Sequence, residues 1–211
     1  MFADLGGCLS GAYDGLMFTG GNPVGAAVGG FVLGACASLA CGRIYNPNNA
    51  SVFNASLTNF PSNDLDSVGR NHNIHLAFLL SNPILYPSTF SGASYLSSIY
   101  PTVNGFPNPI QISSVTDTVL YYVGNPNSHT REQMIDPLIN KSLTTVESRT
   151  FLKSYCSGLV EVTSVTQIEY LVPNYINALN SSSISSNDKL IIKISMAAGA
   201  HSTNFNLNNF N

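Results

Sequence analysis

The chain has 211 residues and a net charge of −3, with 44% hydrophobic and only 9% charged residues. Soluble domains typically contain about 25% charged residues. The high apolar content excludes an intrinsically disordered chain, and the small negative charge argues against binding to nucleic acid or to an anionic membrane surface. This composition favours a protein embedded in an assembly, a membrane or an extracellular matrix.

Small residues recur every four positions through the first forty residues, in two sets that mirror each other about a turn. In the turn Thr19-Gly20-Gly21-Asn22-Pro23, Asn22 can cap a helix and Pro23 suits its first position. Folding the chain back there pairs position 15 with 26, 11 with 30 and 7 with 34. We therefore predict an antiparallel, glycine-rich helical hairpin over residues 1–42, whose backbones approach closely along Gly7, Gly11, Gly15, Ala26, Gly30, Gly34 and Ser38.

This hairpin is open to three interpretations. Its ridges of small residues can pack two helices inside one soluble protein, act as the small-xxx-small motifs that associate transmembrane helices, or bind equivalent ridges on neighbouring copies. Residues 23–42 carry no charge and reach the length of a membrane span. Asp4 and Asp14 argue against insertion of the first helix into a membrane.

Residues 43–62 form a connection rich in Asn and Pro, and residues 63–211 form a helical body with an Asn-rich tail. The predicted hairpin is packed on this body or appended to it. Asp64 or Asp66 can cap the first helix of the body, which ends before Pro83.

Three shorter elements follow in chain order. Residues 83–112 combine several prolines with aromatic residues, which predicts a long loop. Ser114-x-x-Asp117 resembles a capping box and predicts a helix up to Gly124. Thr130-x-x-Gln133 predicts another short helix, limited by Pro137.

Two amphipathic helices come next, each preceded by a capping pattern. Thr144-x-x-Glu147 predicts the start of a helix whose inward face is Phe151, Leu152, Tyr155, Cys156, Leu159 and Val160. Ser164-x-x-Gln167 predicts the start of the next, with a bend at Pro173 and an inward face of Ile168, Leu171, Val172, Tyr175, Ile176 and Leu179.

The last element is ambiguous between helix and strand. The β-branched residues of Leu190–Ile194 suit a strand, but Ser185-x-x-Asp188 before them and the alanines after Met196 favour a helix. Residues 202–211 are expected to form a frayed end. No apolar run has a strand partner, so the predicted fold class is mainly α, an irregular multi-helix body with long loops.

The four cysteines are too few and too scattered for a disulfide framework: Cys8, Cys36, Cys41 and Cys156. A Cys8–Cys36 bridge and buried free thiols both remain open. No basic residue precedes Arg43, so no ordinary signal peptide is visible, although the composition suggests a secreted or cell-surface protein.

Histidines provide the main candidates for chemistry. His72 and His75 lie three residues apart on a predicted helix and can reach one metal ion, and His201 can come close to this helix in the fold. His72 also shares an apolar face with Leu76, which favours a hydrogen-bonded core histidine instead. Because no second cluster of ligands and no nucleophile motif is present, we expect no cofactor and no catalytic residues.

Two resemblances accompany these patterns. The segment GGNPVGAAVGGFVLGA at 20–35 resembles the glycine zippers of class II bacteriocins, which implies membrane activity. The order of the glycine-rich start, Asp66-Ser-Val-Gly-x-x-His72-Asn73 and Ala200-His201-Ser202 is similar to uncharacterised proteins of the Bacteroidota. That second resemblance implies no activity.

We expect a non-enzymatic, exported or surface-associated bacterial protein whose glycine-rich hairpin mediates self-assembly or packing with a protein partner. One alternative is a membrane-active, bacteriocin-like protein that inserts residues 1–42. A second alternative is a metal-dependent enzyme that uses His72 and His75.

Overall fold

The structure, a computed structural model, describes residues 131–209 and seven earlier positions, Ala12, Tyr13, Met17, Gly30, Gly69, His72 and Asn73. The long described region forms four α-helices: α1 (Arg131–Ser142), α2 (Val146–Val160), α3 (Val165–Ser181) and α4 (Ser186–Asn209). The seven earlier positions are helical as well, and the described residues contain no strand. The expectation of a mainly α fold is confirmed for this part of the chain.

Several predicted elements lie outside the described residues. They are the connection 43–62, the loop 83–112, the helix after Ser114 and, apart from the early positions named above, the hairpin 1–42 and the helix that follows Asp64 or Asp66.

Helix α1 continues through Pro137, so the prediction that this proline limits the helix is wrong. A proline inside a helix removes one backbone hydrogen bond and crowds the preceding turn. Here Ile135, Leu138 and Ile139 on either side of it are buried, and this packing outweighs the local cost. Arg149 then satisfies the end of the helix, because its Nε donates to the Leu143 carbonyl at 2.8 Å.

Helix α2 has a capping box, but one residue later than predicted. Thr145 is the N-cap: its hydroxyl accepts from the Ser148 amide at 3.1 Å, and its own amide donates to Ser148 Oγ at 3.2 Å. Thr144 and Glu147 do not form the predicted pair, because the Thr144 amide and hydroxyl both donate to Asp188 of α4. A distant carboxylate therefore decides where this helix begins.

The predicted starts of α3 and α4 are confirmed. Ser164 and Gln167 form a reciprocal capping box for α3, which continues through Pro173. Ser185 Oγ accepts from the Asp188 amide at 3.2 Å at the start of α4, and the ambiguous Leu190–Ile194 run is helical. The expected frayed end is wrong for residues 202–209, because α4 extends to Asn209, and residues 210–211 lie outside the described part of the chain.

The inward faces of α2 and α3 agree with the predicted pattern at their centres. Leu152, Tyr155, Cys156 and Leu159 are buried on α2, as are Ile168, Val172, Ile176 and Leu179 on α3. Phe151, Leu171 and Tyr175 are half-buried. Val160, the last residue of α2, is 41% exposed, so its inward assignment is wrong.

Polar contacts between the loops give the helices their directions. The α1–α2 and α3–α4 loops meet at one end of the bundle, where Ser183 Oγ donates to Glu147 Oε2 at 2.8 Å. Helix α2 therefore leaves this end, α3 returns to it and α4 leaves it again. Helix α4 packs on both α2 and α3 and forms the centre of this bundle.

Asp188 is the buried polar group that joins these loops. Its Oδ2 accepts from the Thr144 hydroxyl at 2.9 Å and from the Thr144 amide at 3.1 Å, and the residue is 1% exposed. The carboxylate also lies in the first turn of α4, where a negative charge interacts favourably with the helix dipole. One side chain thus stabilises the start of α4 and holds the start of α2 beside it.

We expect Asp188→Ala to lower the free energy of unfolding by about 1.5–3 kcal/mol, because hydrogen bonds to a buried charged group contribute about this much. Asp136→Ala is the matched control: it removes a partly exposed ion pair with Lys153 at 2.7 Å. Such pairs contribute about 0–1 kcal/mol. Urea denaturation followed by circular dichroism measures both, and equal losses in the two variants would contradict the role given to Asp188.

Candidate functional site

The part of α4 from Ile194 to Asn204 is buried around its whole circumference. Every residue from Ile194 to Asn204 is buried, although this segment is made mainly of small and polar residues. A helix turns once in about 3.6 residues, so this unbroken run means that neighbours cover all sides of α4. A partly exposed surface helix would instead leave a polar stripe open to solvent.

Helix α2 is too short to provide all of this cover. At about 1.5 Å per residue, the 24 residues of α4 span about 36 Å and the 15 residues of α2 about 23 Å. Helices α2 and α4 both start at the loop end of the bundle, and Tyr155 of α2 already lies level with Met196 of α4. The segment around His201 therefore lies near and beyond the far end of α2.

An earlier part of the chain packs there. We call the helical residues Gly69, His72 and Asn73 the His72 segment, and it contacts α4 at Ala197 and His201. The possibility that His201 comes close to the helix of His72 is therefore realised. The contact joins residues 128 positions apart in the sequence.

Gly69 is the point of closest approach. A Cβ atom at this position would lie 2.6 Å from Cγ of His201 and 2.8 Å from the Ala197 carbonyl oxygen. Real Cβ atoms essentially never come within 3.0 Å of another heavy atom. Because a backbone atom is among the neighbours, side-chain rotation alone cannot make room, so this contact requires glycine.

His72 and Asn73 add a buried hydrogen-bonded network to the same contact. His72 Nδ1 and Asn73 Oδ1 are 3.0 Å apart, and Asn73 Nδ2 donates to the His201 carbonyl at 3.3 Å. Exposure is 0% for His72 and His201 and 2% for Asn73. His72 is thus a hydrogen-bonded residue of the interior, and the histidine-based candidate site lies at a helix–helix contact.

A neutral imidazole can accept a proton or bind a metal ion, so the side chains of this network could take part in proton transfer or metal binding. His75, the third candidate ligand, lies outside the described residues. Within the described parts of the chain, no group of three or more His, Cys, Asp or Glu residues is arranged to hold a metal ion. The geometry of these residues alone therefore defines no metal centre.

The predicted ridge residues are described at one position only. Gly30 is helical and buried, whereas Gly7, Gly11, Gly15, Ala26, Gly34 and Ser38 lie outside the described residues. Ala12, next to one predicted ridge, is also helical and buried, and Met17 is 61% exposed. Across the described helices, none is long and apolar enough to cross a membrane.

Cys156 is a buried residue of the α2 core, while the other three cysteines lie outside the described residues.

Tyr155 joins α2 to α4 at Met196, the residue before Ala197, which Gly69 contacts. Its hydroxyl donates to the Met196 carbonyl at 2.9 Å, and its ring packs edge-to-face on Tyr175 at a centroid distance of 5.3 Å. Burial, together with smaller effects from Cys156 and Tyr175, raises the pKa of the Tyr155 hydroxyl well above its ordinary value. This tyrosine therefore acts as a neutral hydrogen-bond donor within the core.

Comparisons with known proteins do not add a family to this description. No protein-family model, no curated protein and no solved structure matches the chain.

Sequence reasoning singled out His72 and His201 but gave no role to two residues of the His72 segment or to the surface of α4 that they contact. Asn73 adjoins His72, and its amide oxygen is a common partner for an imidazole nitrogen. Gly69, one helical turn before His72, was visible as a residue without a side chain on the predicted helix. The partner surface on α4 was signalled by the small residues of Ala197–Ala200, which allow another backbone to approach.

Gly69→Ala should lower the free energy of unfolding by about 1–3 kcal/mol or more, as expected when an atom is forced into a filled contact. The matched control is Gly158→Ala on α2, where the new Cβ would meet the end of the flexible Leu171 side chain. Because alanine favours a helix over glycine by about 0.5–1 kcal/mol, this control should be neutral or stabilising. Thermal and urea unfolding compare the two, and equal effects would contradict a backbone contact at Gly69.

Tyr155→Phe should change the alkaline stability of the protein. Above about pH 10 the unfolded chain loses the Tyr155 proton while the folded chain retains it, so wild-type stability falls as the pH rises. The phenylalanine variant should show a decline shallower by up to about 1.4 kcal/mol per pH unit. Urea denaturation from about pH 8 to about pH 11 measures this slope. Tyr170→Phe, at a 75% exposed position, is the control and should keep the wild-type slope.

Proposed function

We propose that the protein is a non-enzymatic, exported or surface-associated bacterial protein whose glycine-rich hairpin, residues 1–42, mediates self-assembly or packing with a protein partner. The observation that carries this proposal is the Gly69 contact, where one helix reaches the backbone of another because a side chain is missing. The predicted hairpin applies the same packing principle repeatedly along its two ridges. The low charge of the chain also suits a surface that is covered in an assembly.

Two further observations support a packing role. Gly30, on the second predicted ridge, is helical and buried, as expected of a ridge position that is covered by other atoms. Helix α4 is buried at the small residues Ser195, Ala197, Ala198 and Ala200, so close packing at small residues is also used in the C-terminal body. The proposal extends this mode of packing from contacts within one chain to contacts between chains.

Self-assembly is tested by size-exclusion chromatography with light scattering at several concentrations of the full-length chain. We expect species larger than one copy, and we expect Gly7→Leu and Gly11→Leu to shift the population towards the monomer, because leucine holds two backbones apart. Met17→Ser, at an exposed position, is the control and should leave the distribution unchanged. A wild type that is monomeric at every concentration would overturn self-assembly.

The same variants separate this proposal from a membrane-active, bacteriocin-like role for residues 1–42. An assembly protein leaves dye-filled phosphatidylcholine–phosphatidylglycerol vesicles intact. Leakage caused by the wild type and lost in Gly7→Leu and Gly11→Leu would favour the membrane-active alternative.

A metal-dependent enzyme is the second candidate, and the contact of the His72 segment with α4 at His201 favours it. This arrangement brings a third histidine to the helix that is predicted to carry His72 and His75. Elemental analysis of protein purified without added metal tests the idea, and the absence of a stoichiometric metal would remove it.

A further inference from the structure

We propose that Asn73 is a positioning residue that fixes the tautomer of His72 and so determines which chemical groups this buried imidazole can bind. The argument begins with the amide of Asn73, whose two ends have opposite hydrogen-bonding properties. The nitrogen can only donate and the oxygen can only accept. The two contacts of the side chain therefore constrain each other.

The contact with α4 orients the amide. A backbone carbonyl oxygen accepts hydrogen bonds, so the end of Asn73 that faces the His201 carbonyl at 3.3 Å must be the nitrogen. The opposite orientation would place two oxygen acceptors against each other. The oxygen of Asn73 consequently faces His72.

The orientation of the amide then assigns the hydrogen on His72. Its Nδ1 lies 3.0 Å from the Asn73 oxygen, which accepts only, so Nδ1 must donate. A neutral imidazole has one N–H group. In neutral His72 that group is therefore Nδ1–H, and Nε2 presents a lone pair to the interior.

This tautomer selects the group that His72 can contact through Nε2. A lone pair takes a hydroxyl, amide or ammonium hydrogen, or a divalent cation that prefers imidazole nitrogen, such as Zn²⁺. It rejects a carbonyl or carboxylate oxygen. A hydrogen bond from the second ring nitrogen to an oxygen is also the arrangement that orients histidines in metal sites. Asn73 therefore orients the His72 ring in the same way as the residues that hydrogen-bond to metal-binding histidines.

Long-range ¹H–¹⁵N correlation spectra of the ¹⁵N-labelled full-length chain test the assignment. At about pH 8, where ordinary imidazoles are neutral, His72 should show a protonated-type shift at Nδ1 and an unprotonated-type shift at Nε2. The His72 signals are identified by their loss in His72→Gln. A hydrogen found on Nε2 instead would overturn the proposal.

Substitutions then separate positioning from simple packing. Asn73→Ala should shift the population towards Nε2–H, the form that predominates for histidine in water. Asn174→Ala, on the exposed face of α3, is the control and should leave the His72 signals unchanged. A folded Asn73→Ala variant that retains Nδ1–H would overturn the role of Asn73. If that variant does not fold, the wild-type spectrum still decides the proposal: a neutral His72 without Nδ1–H overturns it.

Discussion

The described structure depends on the burial of α4 from Ile194 to Asn204, where every residue is buried. A helix can be covered on every side only if neighbours approach it from several directions. Their close approach requires small side chains on the surface of the helix. The sequence of α4 meets this need with Ala197, Ala198, Gly199 and Ala200, which fill little space. Helices α2 and α3 both pack on α4, and the His72 segment contacts it at Ala197 and His201 through Gly69.

Close packing of this kind creates a problem that the buried polar groups solve. Small residues leave backbone carbonyl groups close to the neighbouring helix, and buried polar groups without partners are costly. Tyr155 donates to the carbonyl of Met196, and Asn73 donates to that of His201. Each of these hydrogen bonds attaches another helix to a backbone carbonyl of α4. Each bond also restricts the rotation and the height at which its helix can pack.

At the loop end of the bundle, charged side chains provide hydrogen bonds to groups at the helix ends. Asp188 holds Thr144, while Arg149 and Lys189 donate to loop carbonyls at the ends of α1 and α3. Because only 9% of the chain is charged, these few charges lie where backbone groups lack helical partners.

If residues 1–42 pack by the same use of small residues, the body and the hairpin share one physical principle, and association of the chain is an extension of its folding.

Local patterns were sufficient to determine the helical class, the starts of α3 and α4, and most of the inward residues of α2 and α3. These features depend on contacts within a few residues, such as the capping pair of Ser164 and Gln167. Tertiary structure decided the remaining features. Thr145 replaces Thr144 as a cap because Asp188, 44 residues away, takes the donors of Thr144. Residues 201–204 of α4 are buried, and the His72 segment meets His201 because Gly69 lets the two helices approach closely. A sequence lists the groups that can form such contacts, but a contact across 128 positions depends on how the whole chain packs.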